Sequence, residues 1–286
     1  MRQILTVAVL LFIGIATSLT ANAQVVDGTY RVEAGAVSAL PPGQIAILVD
    51  QLIMGDESII RVSDETPVFL LRARHVTAGN STEIVAKGRN GQDPGDNGRN
   101  GPTIILMFEN VDNVRGLTVS SIGGDGAKGT QGRRGSRGHD ADCNSARSAG
   151  NGGRGDRGGR GGNAGNGGRV FLILPRDSQG YGISMIARPG NPGNGGEGGE
   201  GGPGGNWAEC LLWDHGYGDN GARGEAGPRG EEGEWGGFRA YTVANFQEET
   251  LTERLTDIIA VLNEGGYSGD ADALQAVLNA GGLRYD

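Results

Sequence analysis

The sequence predicts a mainly β chain. It comprises an N-terminal β module and a base of β-hairpins carrying an antiparallel bundle of about six left-handed extended glycine helices, followed by a small C-terminal α-helical hairpin. Three observations predict this. Residues 25–87 alternate apolar and polar positions in short runs, the pattern of half-buried strands. Beyond them glycine recurs at every third position in outbound and returning pairs of segments, a period that fits neither an α-helix nor a strand. The two longest pairs each turn over at an insert holding one cysteine, Cys143 or Cys210.

Taken in order, residues 1–23 have the layout of a secretory signal. Arg2 gives a positive start, Ile4 to Ile15 an apolar core, and Ala21-Asn22-Ala23 a small-residue cleavage site before Gln24. The apolar run is too short for the ~20 residues of a membrane span, so the mature chain is expected to lack a transmembrane segment. Export places it in the periplasm, on the cell surface or outside the cell. Residues 24–87 form the expected β module, with strands near Thr29–Val32, Ile45–Val49, Ile59–Val62, Val68–Ala73 and Ile84–Ala86, and turns at Pro41-Pro42-Gly43 and Gly79-Asn80.

Residues 88–243 are the glycine-rich region. Gly123 to Gly138 and Gly152 to Gly161 keep the three-residue register on either side of Cys143, and Gly190 to Gly205 and Gly218 to Gly236 do so around Cys210. A shorter pair turns near Pro94-Gly95-Asp96-Asn97. The apolar segments at 68–71, 104–107 and 170–174 are each followed by a second strand-like segment that runs into a glycine stretch, a weak internal repeat read as three β-hairpins feeding three glycine hairpins. Glycine lacks a Cβ, so adjacent backbones can approach closely. Segments with two bare edges, 157–162 and 195–202, are expected inside. Residues 244–286 shift to helical periodicity, with Thr250 and Glu253 as a capping box, Leu251, Leu255, Ile258, Ile259 and Leu262 at helical spacing, and a second short helix expected from Asp270 that buries Leu274, Val277 and Leu278.

Two cysteines in an exported chain favour one disulfide between Cys143 and Cys210, stapling two hairpin tips; two free or intermolecularly paired thiols are the alternative. With aromatics at 5% and 56 glycines, no conventional apolar core can extend through the glycine region. The net charge of -9 argues against general affinity for nucleic acid. Charge is also segregated. Residues 123–169 carry nine basic and four acidic side chains, whereas 188–237 carry three basic and nine acidic. Opposite charge either helps neighbouring hairpins or molecules choose each other or leaves two solvated faces.

The triplet register across 88–237 resembles the polyglycine II bundles of small glycine-rich antifreeze proteins and of adhesins at some phage tail tips, and also the Gly-x-y repeats of bacterial collagen-like proteins. The resemblance implies backbone geometry and carries little about function. Collagen itself is disfavoured by sparse proline and short, interrupted triplet runs such as Gly126-Ala127-Lys128-Gly129.

Hydrolase elbows, phosphate loops and paired-cysteine zinc motifs are missing, so no enzyme activity, cofactor or metal is expected. His139 with Asp140 and Asp142, and His215 with Asp214 and Asp219, are acidic-histidine clusters best read as solvated loop residues. Arg157-Gly158-Gly159-Arg160 resembles an RGG tract but lacks interleaved aromatics. The insert around Cys210 is the most suggestive surface. Trp207, Leu211, Leu212, Trp213, His215 and Tyr217 serve there either as binding anchors or as a mini-core against the Cys143 loop. The expected function is an exported, non-enzymatic structural or adhesive module with a cell-surface, glycan or protein ligand. A collagen-like or filament-forming matrix component that self-associates is the alternative, and ice binding comes third.

Overall fold

The computed structural model describes residues 24–26, 28–145, 147–176, 182–210, 214–243, 248–264 and 268–279. The expected signal segment, 1–23, lies outside them. Two sheets face each other across one core. In spatial order the first holds β1 (Gln24–Val26), β2 (Thr29–Val32), β4 (Ala46–Met54), β6 (Val68–Ala78), β8 (Thr103–Val114), β10 (Arg169–Pro175) and β14 (Gly237–Val243). The second holds β3 (Val37–Ala39), β5 (Ile59–Val62), β7 (Thr82–Lys87), β9 (Leu117–Ile122) and β11 (Ile183–Arg188). A separate antiparallel pair, β12 (Ala208–Glu209) and β13 (Asp214–His215), lies between β11 and β14 in the chain. From β2 to β11 the chain steps alternately between the sheets, so each circuit adds one strand to both. All neighbours in the two sheets pair in parallel except β1 and β2.

This architecture overturns the expected fold class. Segments read as β-hairpins, such as 68–71 with 84–86, do not pair with each other: β6 and β7 lie in opposite sheets, and each pairs with the next circuit, at Val68↔Thr103 and Thr82↔Leu117. The molecule is therefore a two-sheet parallel β fold rather than an antiparallel bundle of glycine helices on a hairpin base. The physical reason lies in the apolar runs. Phe69-Leu70-Leu71, Ile104-Ile105-Leu106-Met107-Phe108 and Val170-Phe171-Leu172-Ile173-Leu174 are continuous rather than alternating, the signature of parallel strands buried on both faces. The glycine segments contain no regular helix or strand; they are the connections from the second sheet back to the first.

Those connections widen along the chain. Between β5 and β6 the link is residues 63–67, between β7 and β8 it is 88–102, and the next two excursions are 123–168 and 189–236. The register nevertheless stays matched on both sides, with β8 and β10 paired at Thr103↔Arg169 and β9 and β11 at Leu117↔Ile183.

Two apolar layers result. Phe69, Leu71, Ile84, Leu106, Phe108 and Val119, among others, fill the space between the sheets. On the outer face of the first sheet, Val68, Leu70, Ile105, Met107, Phe171 and Ile173 are covered by Leu255, Ile258 and Ile259 of α1 (Glu248–Glu264) and Ala271 and Leu274 of α2 (Ser268–Asn279). Phe108 is fully buried in the inner layer. Phe108→Ala is expected to destabilise the chain by about 3–5 kcal/mol through lost burial and a residual cavity, read from the shift of the denaturant midpoint.

Candidate functional site: the tied tip of the glycine runs

The glycine excursions form a hydrogen-bonded layer continuous with the sheets. Outbound legs align in parallel: Gly91 N–H donates to the Asp125 carbonyl, and Gly126, Gly132 and Gly138 donate to Asn191, Glu197 and Pro203. Return legs align likewise, with Gly98 donating to Asn163 and Gly155 and Gly161 to Ala222 and Pro228. Antiparallel bonds cross between the two sets, from Gly153 and Gly159 to Ser136 and Thr130, from Gly196 to Gly159, and from Gly227 to Gly196. These donor–acceptor distances run from 2.7 to 3.0 Å, good hydrogen-bond geometry.

Glycine is obligatory where legs touch. A Cβ on Gly158 would fall inside van der Waals contact with the Gly196 carbonyl. Gly158, Gly161, Gly196, Gly199 and Gly202, from the segments with two bare edges, are buried. Side chains add a second set of bonds between successive legs. Asn97 Oδ1 accepts the Asn163 N–H at 2.7 Å and Asn163 Oδ1 accepts the Glu231 N–H at 2.9 Å; Asn100, Asn166 and Glu234 repeat the arrangement. Asp125 and Asp140 do the same for Asn191 and Asn206. Burial raises the Asp125 carboxyl, but the Lys87 ammonium and the Asn191 N–H outweigh it and hold the group below the usual carboxylate range.

The segregated charge is used inside the chain. Lys128–Glu197, Arg134–Glu200, Arg154–Glu225 and Arg160–Glu231 join the basic excursion to the acidic one at 3.1, 3.8, 3.0 and 2.6 Å. Their side chains are more than half exposed, so each pair contributes little to stability and mainly favours correct alignment.

Both long excursions turn over at the same end, where Cys143 and Cys210 form a disulfide across Cα atoms 5.6 Å apart. The Cys143 turn is further organised by Asp142, whose carboxylate accepts from the Ser145 hydroxyl and the Asn144 N–H; these bonds hold its carboxyl below the usual range. Ala141 N–H donates to the Asn206 carbonyl, tying the two turns through backbone as well. On the other turn, Trp207 is 43% exposed and Tyr217 70% exposed, their rings tilted at 53° with centroids 6.2 Å apart. His215 lies on β13 opposite Ala208. Leu211, Leu212 and Trp213 fall outside the described residues. Asp140 is engaged by Arg137 and by the Asn206 N–H, and among the described residues no group of three or more His, Cys, Asp and Glu side chains is gathered to hold a metal.

Sequence reasoning missed a row of ion pairs on the outer face of the first sheet, beyond the helices. Arg72 pairs with Glu109 at 3.1 Å, Arg74 with Asp50 at 3.1 Å and His75 with Asp112 at 3.0 Å. Arg72 is buried, with 4% of its side chain accessible. The available signal was the interruption of two apolar strands by charge, Arg72 to His75 on one and Glu109 to Asp112 on the next, which lie two residues apart in register.

No family model, curated protein or solved structure matches this chain. The resemblance to polyglycine II bundles and collagen-like proteins is accordingly withdrawn: the regular structure of the chain is its two parallel sheets, and the triplet period alone identified no relative.

Two outcomes follow from the layer and its staple. Gly158→Ala is expected to destabilise by roughly 1–3 kcal/mol or more because backbone must move apart, whereas Gly216→Ala, with open space around its Cβ position, changes stability by at most about 0.5 kcal/mol; chemical denaturation compares them. Cys143→Ser with Cys210→Ser removes a link across a sequence separation of 67. Chain-entropy arguments put its contribution near 4 kcal/mol, so the oxidised wild type should melt higher than the double variant and lose that margin in reductant.

Proposed function

We propose that this chain is an exported, non-enzymatic adhesive or structural module that presents its disulfide-tied tip to a surface, glycan or protein ligand. The observation that carries this reading is the exposed Trp207–Tyr217 pair beside the Cys143–Cys210 bond, at the far end of a layer whose legs are bonded to one another at every third residue. Exposed aromatic rings on a pre-ordered loop bind with little loss of conformational freedom, which is why such residues serve as recognition anchors. A disulfide, together with the lack among the described residues of a helix long and apolar enough to cross a membrane, fits an oxidising, non-membrane setting.

The alternative of self-assembly through opposite charge is weakened because the basic and acidic excursions already pair within one chain. The test is a glycan array and intact-cell binding assay with the oxidised protein. Trp207→Ala with Tyr217→Ala is expected to reduce retention tenfold or more at an unchanged melting temperature. Undiminished retention by that variant, or none by the wild type, overturns the reading.

A further inference from the structure

The two sheets do not end together. At the C-terminal end the first finishes with β14 and the second with β11, so the first extends half a circuit further, and neither outer edge has a partner strand among the described residues. The last circuit is open to solvent where the preceding one is closed. Leu117 and Val119 of β9 and Val170 and Leu172 of β10 are buried. Their counterparts in register are Ile183 and Met185 of β11, which are half-buried, and Phe238 and Ala240 of β14, which are exposed, Phe238 at 61%. Ile186 on the other face of β11 and Trp235 just before β14 are exposed as well. The N-terminal end, by contrast, is covered. There antiparallel β1 lies along the edge of β2, Tyr30 and Val32 are buried, and the Tyr30 hydroxyl bonds to the Ser38 hydroxyl of β3 in the facing sheet at 2.7 Å.

From this contrast we propose that a second copy of the chain closes the C-terminal end, in a two-fold dimer in which β14 of each copy pairs with β11 of the other. A partner must present two strands offset by half a circuit, one for the edge of each sheet, and the overhang of β14 beyond β11 has that shape. Strand direction agrees. Gly236 N–H donates to the Ala187 carbonyl, so β14 starts where β11 ends and the strands of the two sheets run oppositely. A two-fold axis between the sheets and along the strands therefore sets β14 antiparallel to β11 of the other copy, the orientation that β1 takes on β2. The alternation of faces agrees as well. Phe238, Ala240 and Thr242 share the core-facing side of β14, and Ile183, Met185 and Ala187 that of β11, so a register that pairs Ala240 with Met185 keeps all six on the inside. Ile186 then joins the face that carries Tyr241 and Val243. Neither strand holds a proline, a lysine or an acidic residue, the devices that blunt an exposed edge. Because the axis follows the strands, the glycine legs of both copies leave the dimer on the same side. The contact itself is separate from the aromatic tip.

The test is light scattering on the size-fractionated, oxidised chain, with amide hydrogen exchange of the two edge strands. The expected result is a particle of twice the chain mass. Phe238→Glu with Ile186→Glu changes two side chains that are exposed in the single chain, and this variant is expected to be a monomer whose β6 and β8 amides keep their protection. Amides in 183–188 and 237–243 are expected to exchange at least tenfold more slowly in the wild type than in the variant. A monomeric wild type overturns the proposal, whether its edges exchange freely or are protected by another segment of the same chain. A dimer that persists in the double variant overturns it too, because such a dimer uses another surface. So do open-ended oligomers, because a two-fold contact closes on itself. Trp207→Ala with Tyr217→Ala leaves the dimer intact, so the outcome is independent of what the tip binds.

Discussion

The constraint on which the rest of the molecule depends is the shared register between successive circuits. Once β8 and β10 are aligned at Thr103↔Arg169 and β9 and β11 at Leu117↔Ile183, every residue of the legs that leave those strands is already placed opposite its partner. The glycine N–H groups then meet carbonyls of the neighbouring leg without any search. In isolation the legs would have no such guide. Ordering a glycine-rich segment costs more conformational entropy than ordering any other, and little apolar surface beyond residues such as Ala164 is buried in return.

This explains how stability is divided. The apolar layers between the sheets and beneath α1 and α2 supply the driving force, and they lie at one end of the legs. The disulfide closes the opposite end. Between these two anchors the legs rely on a dense set of backbone bonds reinforced by Asn and Asp side chains that accept N–H groups from the next leg. The ion pairs between the basic and acidic excursions are exposed, and their role is discrimination: a leg shifted by one triplet would leave at least two of the four cations facing uncharged residues such as Pro203 and Pro228, or Asn194 and Ala222.

Much of the local pattern was legible in the sequence, including the triplet period, the position of both turns and the pairing of Cys143 with Cys210. The fold class was not, because adjacent apolar segments such as 68–71 and 84–86 look alike whether they pair with each other or face each other across a core. The continuous apolar run Ile104–Phe108 held the deciding information: a strand buried on both faces belongs to a parallel sheet. Asn97 and Asn163, or Asn100 and Asn166, were also visible, but their 66-residue separation means something only once the circuit length is known. The Arg72–Glu109 and His75–Asp112 pairs were hidden for the same reason, since only the parallel pairing of β6 with β8 brings those positions within diagonal reach of each other.

The matched legs also restrict how such a chain can change in length. Each leg is bonded to neighbours on both sides at intervals of three, so a single inserted residue would throw every later contact out of phase. A tolerated change in reach must arrive as whole triplets, in the outbound and return legs together, and in the adjoining excursion as well wherever the two are paired. Reach is thus a quantised variable for this architecture, adjustable in steps of one triplet while the sheets at its root remain untouched.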